Sequence, residues 1–320
     1  MKFDDVLIDL KPDRDDFGQE VRDGLATNQR TVPCKFIYDE RGSELFEKIC
    51  EQPEYYPTRT ELKIMEESID SMVEAIGPRA RVIECGPGSG IKTKMLLDHL
   101  EDPAAYIPIE ISKSALRGCF QELTREFPEL EIVPVCADYT DHIDIPETEG
   151  DYERNVVYFP GSTLGNFPKD VARSFMRRSA EFAGEDGAML LGVDLAKDPD
   201  ILRKAYNDEA GVTAAFNMNL LHRMNRELGG NFDTDAFHHE AIYNPEHTRI
   251  EMHLVSEREQ TVDVAGETYE FDEGQTICTE YSHKYTPEAF EELATGAGFD
   301  VRQMWTDGDN LFSIWYLETM

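Results

Sequence analysis

The 320-residue sequence predicts an α/β fold in which helices cover both faces of a mostly parallel sheet. Between residues 81 and 193, five short apolar strand segments alternate with amphipathic helical segments, which is the pattern of a parallel sheet. A glycine-rich segment directly follows the first strand, and the chain ends in a helix and a strand–turn–strand segment. These three observations predict a Rossmann-like, seven-stranded sheet that ends in an antiparallel hairpin.

The predicted elements follow one another in a regular order. A helix over 60–75 has an apolar stripe and precedes the first strand. The strands of the sheet are predicted over 81–84, 106–111, 131–137, 155–159 and 188–193, and the helices between them over 91–100, 113–126 and 169–183. A last helix over 287–296 precedes a hairpin with its turn at 307–310. A hairpin of this kind closes the sheet of class I methyltransferases, whereas a dinucleotide-binding fold more often continues with a parallel strand.

A second domain interrupts this alternation. Two helices are predicted over 199–208 and 212–228, and residues 240–285 have the pattern of antiparallel strands. We therefore predict one domain of class I methyltransferase type and a second, α+β domain. Their predicted ranges are 61–195 and 286–320 for the first, and 1–60 and 196–285 for the second.

The glycine-rich turn was compared with three nucleotide-binding motifs. A P-loop requires a glycine directly before its lysine, and none precedes Lys92. The dinucleotide fingerprint requires a third glycine where this sequence has Ile91. The pattern acidic-x-Gly-x-Gly-x-Gly is matched completely, by Glu84, Gly86, Gly88 and Gly90. In methyltransferases this turn holds the methionine part of S-adenosylmethionine (SAM); a turn without a ligand is the alternative.

Acidic residues stand at the ends of three successive predicted strands, at Glu84, Glu110 and Asp138. The carboxylate of Glu110 is placed to accept hydrogen bonds from ribose hydroxyls. Asp138 is placed to accept the adenine amino group, with Tyr139 lying against the ring. Each acid taken alone is equally compatible with a helix cap or a solvated loop. Because the carboxyl ends of parallel strands share one edge, the three together predict a cofactor site.

The fourth predicted strand ends in FPGSTLGNF, residues 159–167. Its Asn166 has a side-chain amide that can accept from an amine and donate to a carboxylate, which suits an amino-acid substrate. Asparagine is also common in turns that bind nothing, so both interpretations stay open.

Longer segments resemble the histidine Nα-methyltransferases of ergothioneine biosynthesis, a family of SAM-dependent enzymes. The resemblance covers nearly the whole chain. Its most specific segments are FIYDERGSELFEKICEQPEYYPTRTE (36–61), GSTLGNF (161–167), LGVDLAKD (191–198), AYNDEAGVTAAFN (205–217), RIEM (249–252) and TEYSHKY (279–285). It implies a methyltransferase fold in which the second, α+β domain binds the substrate. It also implies the transfer of three methyl groups to the α-amine of L-histidine, which gives hercynine in the first step of ergothioneine biosynthesis.

The resemblance also implies roles for individual residues. The cofactor would be held by Gly86, Lys92, Glu110, Asp138 and Tyr139. The α-amine and carboxylate of the substrate would be surrounded by Tyr38, Tyr56, Asn166 and Tyr206, of which Tyr38, Tyr56 and Asn166 are the predicted catalytic residues. The imidazole would contact Met252, Glu280 and Ser282. The sequence departs from the family pattern at two positions. Glu110 replaces an aspartate, and Tyr139 replaces a phenylalanine.

The residues themselves support part of the imidazole site. Glu280 and Ser282 are two positions apart on a predicted strand, so their side chains share a face. A carboxylate and a hydroxyl can bind one ring N–H and one ring nitrogen of an imidazole. Met252 belongs to an apolar strand face that is equally compatible with ordinary core packing.

Composition limits the partners and the compartment. With 65 acidic and 31 basic residues the net charge is -34, which disfavours nucleic acid and anionic membranes as partners. No segment reaches the roughly 18 apolar residues of a membrane span, and the acidic N-terminus does not have the pattern of a signal peptide. The six cysteines are scattered, and adjacent His238 and His239 point to opposite strand faces, so we predict neither disulfides nor a metal site. We expect a cytoplasmic monomer.

Other functions remain open at this point. The same scaffold could methylate another amino acid, such as tyrosine or tryptophan, although Glu280 would be poorly used against an indole or a phenol. A non-catalytic SAM-binding protein would have no need of the acidic strand ends. An oxidoreductase is disfavoured only by Ile91 and the terminal hairpin.

Overall fold

The computed structural model describes residues 2–11, 17–88, 90–140 and 142–320. The chain divides into two compact units. The first unit comprises Met1–Pro12, Arg59–Leu195 and Tyr285–Met320, and the second comprises Asp13–Thr58 and Ala196–Lys284.

The helices and strands alternate through most of the first unit. In chain order the helices are α1 (Phe3–Val6), α2 (Phe17–Leu25), α3 (Glu40–Cys50), α4 (Tyr56–Ile76), α5 (Ile91–His99), α6 (Lys113–Glu126), α7 (Lys169–Ala183), α8 (Pro199–Ala205), α9 (Val212–Glu227) and α10 (Pro287–Thr295). The strands are β1 (Ile8–Asp9), β2 (Arg30–Thr31), β3 (Ala80–Cys85), β4 (Ala105–Glu110), β5 (Glu131–Ile132), β6 (Val135–Cys136), β7 (Arg154–Phe159), β8 (Ala188–Asp194), β9 (Phe237–Asn244), β10 (Arg249–Ser256), β11 (Gln260–Val264), β12 (Glu267–Phe271), β13 (Thr276–His283), β14 (Phe299–Thr306) and β15 (Phe312–Thr319). Short 3₁₀ helices lie at Cys34–Ile37, Thr163–Asn166 and Thr234–Ala236.

The first unit is built around one mixed sheet. Its strand order is β1-β6-β4-β3-β7-β8-β15-β14, and β5 pairs with β4 beside this path. All pairs from β1 to β8 are parallel, and β15 is antiparallel to both β8 and β14. The predicted α/β class and the terminal hairpin are therefore confirmed.

The sheet has nine strands among the described residues, where the sequence predicts seven. One reason is that the strand predicted over 131–137 is broken into β5 and β6, with Pro134, which has no N–H to donate, between them. The other reason is β1 at the sheet edge, where the Ile8 N–H donates to the Pro134 carbonyl at 2.9 Å.

Apolar side chains cover both faces of this sheet. Successive residues of β3 point to opposite faces, so Val82 packs in one core cluster and Ile83 in the other. Helices α4, α5 and α6 contribute to the first cluster, and α7 and α10 to the second. Because both faces are covered, functional side chains are left to the strand ends.

The N-terminal boundary of the predicted domains is wrong. Residues 1–60 were assigned to the second domain, but the described N-terminal residues belong to the first unit. Phe3 packs edge to face against Phe120 with ring centroids 5.6 Å apart, and β1 pairs with β6. The other divisions lie at 58/59, 195/196 and 284/285, against predicted divisions at 60/61, 195/196 and 285/286.

The second unit contains a four-stranded sheet of order β2-β13-β10-β9 and a two-stranded sheet of β11 and β12. The predicted antiparallel strands are present, although β2 runs parallel to β13. Helix α9 packs on β9 and β10 and against α3. A β-bulge separates Met252 from His253, and Met252 lies directly opposite Glu280 of β13. The two side chains therefore share one face of the sheet.

Two features are absent from the described residues. No helix among them combines the length and apolar character needed to cross a bilayer. The same residues contain no cluster of histidine, cysteine and acidic side chains that could hold a metal ion.

Candidate functional site

The glycine-rich turn joins β3 to α5 in the first unit. Gly86, Gly88 and Gly90 have φ values of 72°, 55° and 72°, which favour glycine over residues with a Cβ atom. The Gly86 N–H donates to the Ile109 carbonyl at 2.9 Å and fixes the turn against β4. A Cβ atom at Gly88 or Gly90 would have no described atom within 4 Å. These glycines therefore serve the backbone conformation, and open space lies beside them.

Glu84, predicted to contact the cofactor, lies beneath the turn. Its side chain is fully buried, and its carboxylate accepts hydrogen bonds from Thr93 at 2.8 and 3.0 Å and from Tyr106 at 2.6 Å. Burial raises the pKa of Glu84 to about 7, against the opposing effect of these two hydroxyls. Glu84 thus joins β3 to α5 and β4 and positions the turn, and its contact with the cofactor stays a prediction.

Glu110 and Asp138 lie at the ends of neighbouring strands, as predicted. The Glu110 carboxylate accepts from the Ser112 N–H at 2.9 Å. Asp138 accepts from the backbone N–H and the hydroxyl of Thr140 at 2.7 and 2.6 Å, through the same oxygen. Burial raises the pKa of Glu110, and the charge of Asp138 adds to that rise. The two carboxylates therefore lie close enough to repel, and hydroxyl or amino donors of a ligand would relieve this repulsion.

Tyr139 lies between the turn and the second face of the sheet. Its ring packs edge to face on Phe159 and Phe175, with centroids 6.0 and 5.9 Å away. The position of a Cβ atom on Gly86 is 3.7 Å from the Tyr139 ring. The structure thus brings Tyr139, a partly buried residue, to the glycine turn.

Lys92, in the first turn of α5, forms an ion pair with Glu61 of α4. Glu61 is only 1% exposed, and its two oxygens also accept the Gly161 N–H at 2.9 and 3.0 Å. Gly192 provides the room, since a Cβ atom there would lie 2.2 Å from a Glu61 oxygen. Sequence reasoning did not assign a role to Glu61, although it ends the family-like segment 36–61. It links the turn-bearing helix to the segment after β7.

Asn166 ends the 3₁₀ helix that follows β7 in the first unit. Its side chain is half-buried, and no described residue hydrogen-bonds its amide. Upstream, Ser162 has a φ of 58° and accepts the Asp194 N–H at 2.9 Å, which ties this segment to the end of β8. A rigid segment therefore presents an amide with both its donor and its acceptor capacity unused by described residues.

These features converge on the carboxyl edge of one sheet. The order β6-β4-β3-β7-β8 places the ends of β6, β4, β3 and β7 side by side. The chain order reverses between β3 and β7, and such a switch point is where open α/β sheets bind ligands. This edge can accept hydrogen bonds from hydroxyls and amino groups through its carboxylates, and it offers backbone N–H groups at the turn.

A separate small cavity lies within the second unit. It is lined by Tyr38, Phe46, Ile49, Tyr55, Ala205, Tyr206, Thr213, Phe216, Met252 and Glu280. Four of the site residues predicted from the sequence are among these: Tyr38, Tyr206, Met252 and Glu280. The remaining lining residues were missed, although Phe46, Tyr55 and Phe216 lie in the family-like segments 36–61 and 205–217.

Glu280 is the acidic group of this cavity. Its Oε2 atom is buried and accepts no hydrogen bond from any described residue. Burial raises the pKa of Glu280 to about 7, and the Lys284 ammonium opposes that rise. A buried carboxylate oxygen without a donor is costly, so a ligand that donates a hydrogen bond here would relieve that cost.

Aromatic rings form much of the cavity wall. Tyr38 packs edge to face on Phe46 and Phe216, with centroids 5.6 and 5.2 Å apart, and Tyr55 packs similarly on Tyr206 at 6.1 Å. Met252 faces the same space, so it is both a core residue and a wall residue. The faces of such rings attract cations, which suits a ligand with an ammonium group.

Ser282 lies next to this cavity without appearing in its wall among the described residues. Its hydroxyl oxygen is 2.7 Å from the Tyr206 hydroxyl and accepts from Lys284 Nζ at 2.7 Å. Lys284, which sequence reasoning missed, also donates to Tyr206 at 3.0 Å.

Tyr56 is adjacent to the wall residue Tyr55 but is not itself part of the wall as described. Its hydroxyl accepts a hydrogen bond from Lys197 at 2.6 Å, and the same ammonium lies 4.5 Å from the ring centroid. The substrate contact assigned to Tyr56 stays a prediction.

The chain was also compared with known protein families and curated relatives. Residues 17–319 match the model of a family described as histidine-specific, SAM-dependent methyltransferases. The chain is 39% identical over 295 residues to the histidine N-alpha-methyltransferase of Mycolicibacterium smegmatis, and 37% identical to that of Mycobacterium tuberculosis. Each match covers 90% of both chains. It is 25% identical to the N-methyltransferase imqF of Aspergillus flavus, over 96% of this chain and 86% of that protein.

Proposed function

Because this chain belongs to the family of histidine-specific, SAM-dependent methyltransferases, we propose that it transfers methyl groups to the α-amine of L-histidine. Three transfers give hercynine, as in the first step of ergothioneine biosynthesis. The observation that carries the proposal is the buried, unpaired oxygen of Glu280 in an aromatic cavity. An imidazole N–H supplies the donor that this oxygen lacks.

We propose that the first unit holds SAM at the carboxyl edge of its sheet. The residues present fit that ligand, since the open turn at Gly88 and Gly90 leaves space, and Glu110 and Asp138 offer acceptors to ribose and adenine. Lys92 supplies a cation for the methionyl carboxylate of the cofactor. When bound, SAM supplies an electrophilic methyl group on a sulfonium.

The chain's own residues then orient the acceptor amine. The Asn166 amide can accept from the amine or donate to the substrate carboxylate, because no described residue uses either capacity. Holding two reactants in line can lower the barrier by roughly 7–11 kcal/mol, so positioning alone accounts for much of the catalysis. The aromatic faces around Tyr38 and Phe216 stabilise the fixed cation of the methylated product by about 0.5–2 kcal/mol.

Product analysis tests this function directly. The protein is incubated with methyl-labelled SAM and each of the twenty common amino acids, and the products are weighed by mass spectrometry. We expect histidine alone to gain label and to proceed to the trimethylated product. Methylation of tyrosine or tryptophan in preference to histidine would assign the cavity to that amino acid, and absence of any labelled product would leave a binding protein.

We propose that the protein works as a cytoplasmic monomer. All six cysteines are free thiols, which suits a reducing compartment. The net charge of -34 opposes self-association through electrostatic repulsion. Light scattering coupled to size exclusion measures the assembly state, and a mass above that of one chain would contradict the monomer.

A further inference from the structure

Lys284 has an ammonium group placed against two hydroxyls of the second unit. Its side chain is buried, with 3% of the residue exposed. The ammonium donates to Ser282 at 2.7 Å and to Tyr206 at 3.0 Å, and the two hydroxyl oxygens are 2.7 Å apart. Burying an ammonium costs several kcal/mol unless polar groups compensate its charge. The hydroxyls of Ser282 and Tyr206 provide that compensation.

The triangle restricts the direction in which each hydroxyl donates. An ammonium has three N–H donors and no acceptor, whereas a hydroxyl has one donor and two lone pairs. The Tyr206 phenol is the more acidic hydroxyl, so it donates to Ser282. Ser282 then accepts from both Tyr206 and Lys284, which fills its two lone pairs. Its single O–H must therefore point to a third group.

Glu280 supplies a hydrogen-bond acceptor that complements the Ser282 donor. It lies two residues before Ser282 on β13, on the same face of the strand, and its carboxylate only accepts. One acceptor and one donor side by side match a ring with one N–H and one bare nitrogen, which is the neutral imidazole. A ring without the bare nitrogen leaves the Ser282 donor unsatisfied.

We propose that Lys284 is a positioning residue that fixes Ser282 as a hydrogen-bond donor, so that the site requires a bare ring nitrogen beside the N–H held by Glu280. This inference rests on the proposed histidine methylation and names the residue that sets its ring specificity. Lys284 acts through Ser282 and Tyr206, without contact to the substrate.

Two histidine analogues test the donor requirement. The pyrrolylalanine isomers carry one ring N–H each, at either position, and lack the bare nitrogen. In the wild-type protein we expect kcat/KM for histidine to exceed that for the better isomer by about tenfold to hundredfold, the usual effect of an unsatisfied buried donor. In Lys284→Met, Ser282 regains freedom to turn, and the ratio should fall by about tenfold.

A double-mutant cycle separates positioning from a general structural effect. Ser282→Ala should reduce the ratio as Lys284→Met does, and the double variant should show no further reduction, because Lys284 acts through Ser282. SAM affinity, measured by calorimetry, should be equal in all four proteins and serves as the folding control. If Lys284→Met does not fold, Lys284→Gln is used instead. The oxygen of its amide can accept a hydrogen bond from Ser282, so the Ser282 hydroxyl is no longer restricted to one direction.

Failure of the proposed function and failure of this inference give different results. If wild-type protein does not methylate histidine, the proposed function fails and this inference with it. If wild-type protein methylates histidine but the folded Lys284 variant keeps the wild-type ratio, or if the two single effects add in full, the inference alone is overturned.

Discussion

Glu61 of α4 and Lys92 of α5 form a partly buried ion pair that ties the glycine-turn helix to the segment after β7. The Glu61 carboxylate accepts the Gly161 N–H with both oxygens and fits only because Gly192 has no side chain. This arrangement holds Lys92 and Gly161 beside the switch point of the sheet. It predicts that small changes around Glu61 affect SAM binding.

Gly192→Ala tests this arrangement. The added Cβ atom would lie 2.2 Å from Glu61 Oε1 and 3.0 Å from a Phe312 ring atom, so we expect a loss of about 1–3 kcal/mol in the free energy of unfolding and weaker SAM binding. Urea unfolding and calorimetry measure the two effects. Gly118→Ala on α6 is the matched control, because a Cβ atom there meets nothing within 4 Å. Equal stability of the two variants would contradict the close approach.

Asp138→Ala tests the cofactor edge. Removing the carboxylate proposed to accept the adenine amino group should raise the SAM dissociation constant by roughly tenfold to a hundredfold, the usual value of a hydrogen bond to a charged group. Glu185→Ala, a loss of an exposed acid in the same unit, controls for net charge. Calorimetry that finds the same SAM affinity in both variants would remove Asp138 from the site.

Asn166→Ala tests the orientation of the acceptor. We expect kcat on histidine to fall by about 10²-fold, the size of effect that a small misplacement of reactants produces. SAM binding by calorimetry should change little. Asn166→Asp keeps an acceptor and loses the donor, so its kcat separates the two capacities of the amide. Wild-type kinetics in Asn166→Ala would assign this residue to the turn alone.

Glu84→Gln tests the buried carboxyl beneath the turn. Because the folded-state pKa is about 7 and the ordinary value is 4.5, the native state binds more protons than the unfolded state between these pH values. The contribution of Glu84 to stability is therefore fully present below pH 4.5 and is lost as pH rises through 7. It amounts to about 3 kcal/mol, from the difference between the two pKa values.

In urea unfolding from pH 4.5 to 8, we therefore expect Glu84→Gln to gain stability relative to wild type as pH rises. The Gln side chain keeps acceptor capacity for Thr93 or Tyr106 and has no charge to desolvate. A difference between the two proteins that stays constant with pH is incompatible with the raised pKa.

Local patterns predicted most of the first unit. Helix α6 has the bounds that the periodicity predicted, and the acidic strand ends Glu110 and Asp138 lie at one edge because parallel strands end on the same side. Strand β1 was missed because two residues are too few to show a period. The buried position of Glu84 could not be derived from the sequence, because its partners, Thr93 and Tyr106, come from two other elements.

The second unit was harder to derive from sequence. Met252 and Glu280 lie opposite each other across two strands, and only the resemblance to a family indicated that they act together. The resemblance indicated Tyr56, whereas its neighbour Tyr55 lines the cavity, and the start of α4 at Tyr56, which separates the two rings, is not evident from the sequence. No sequence pattern indicated that Lys284 is buried, because a lysine is buried only when distant partners such as Tyr206 compensate its charge.

The pH dependence of histidine binding follows from Glu280. Its pKa of about 7 means that the carboxylate loses its acceptor oxygen as pH falls through 7, so the dissociation constant of histidine should rise on acidification. The ordinary imidazole pKa of about 6.5 adds a second loss just below this range. Calorimetry from pH 6 to 8.5 measures the effect, and Glu280→Gln should retain only the imidazole part.

Calorimetric titration of histidine into wild-type protein and Glu280→Ala at pH 8 is the most direct measurement of the central claim. If Glu280 accepts the imidazole N–H as proposed, the variant should bind histidine roughly tenfold to a hundredfold more weakly while binding SAM as the wild type does. Equal histidine affinity in the two proteins would contradict the account.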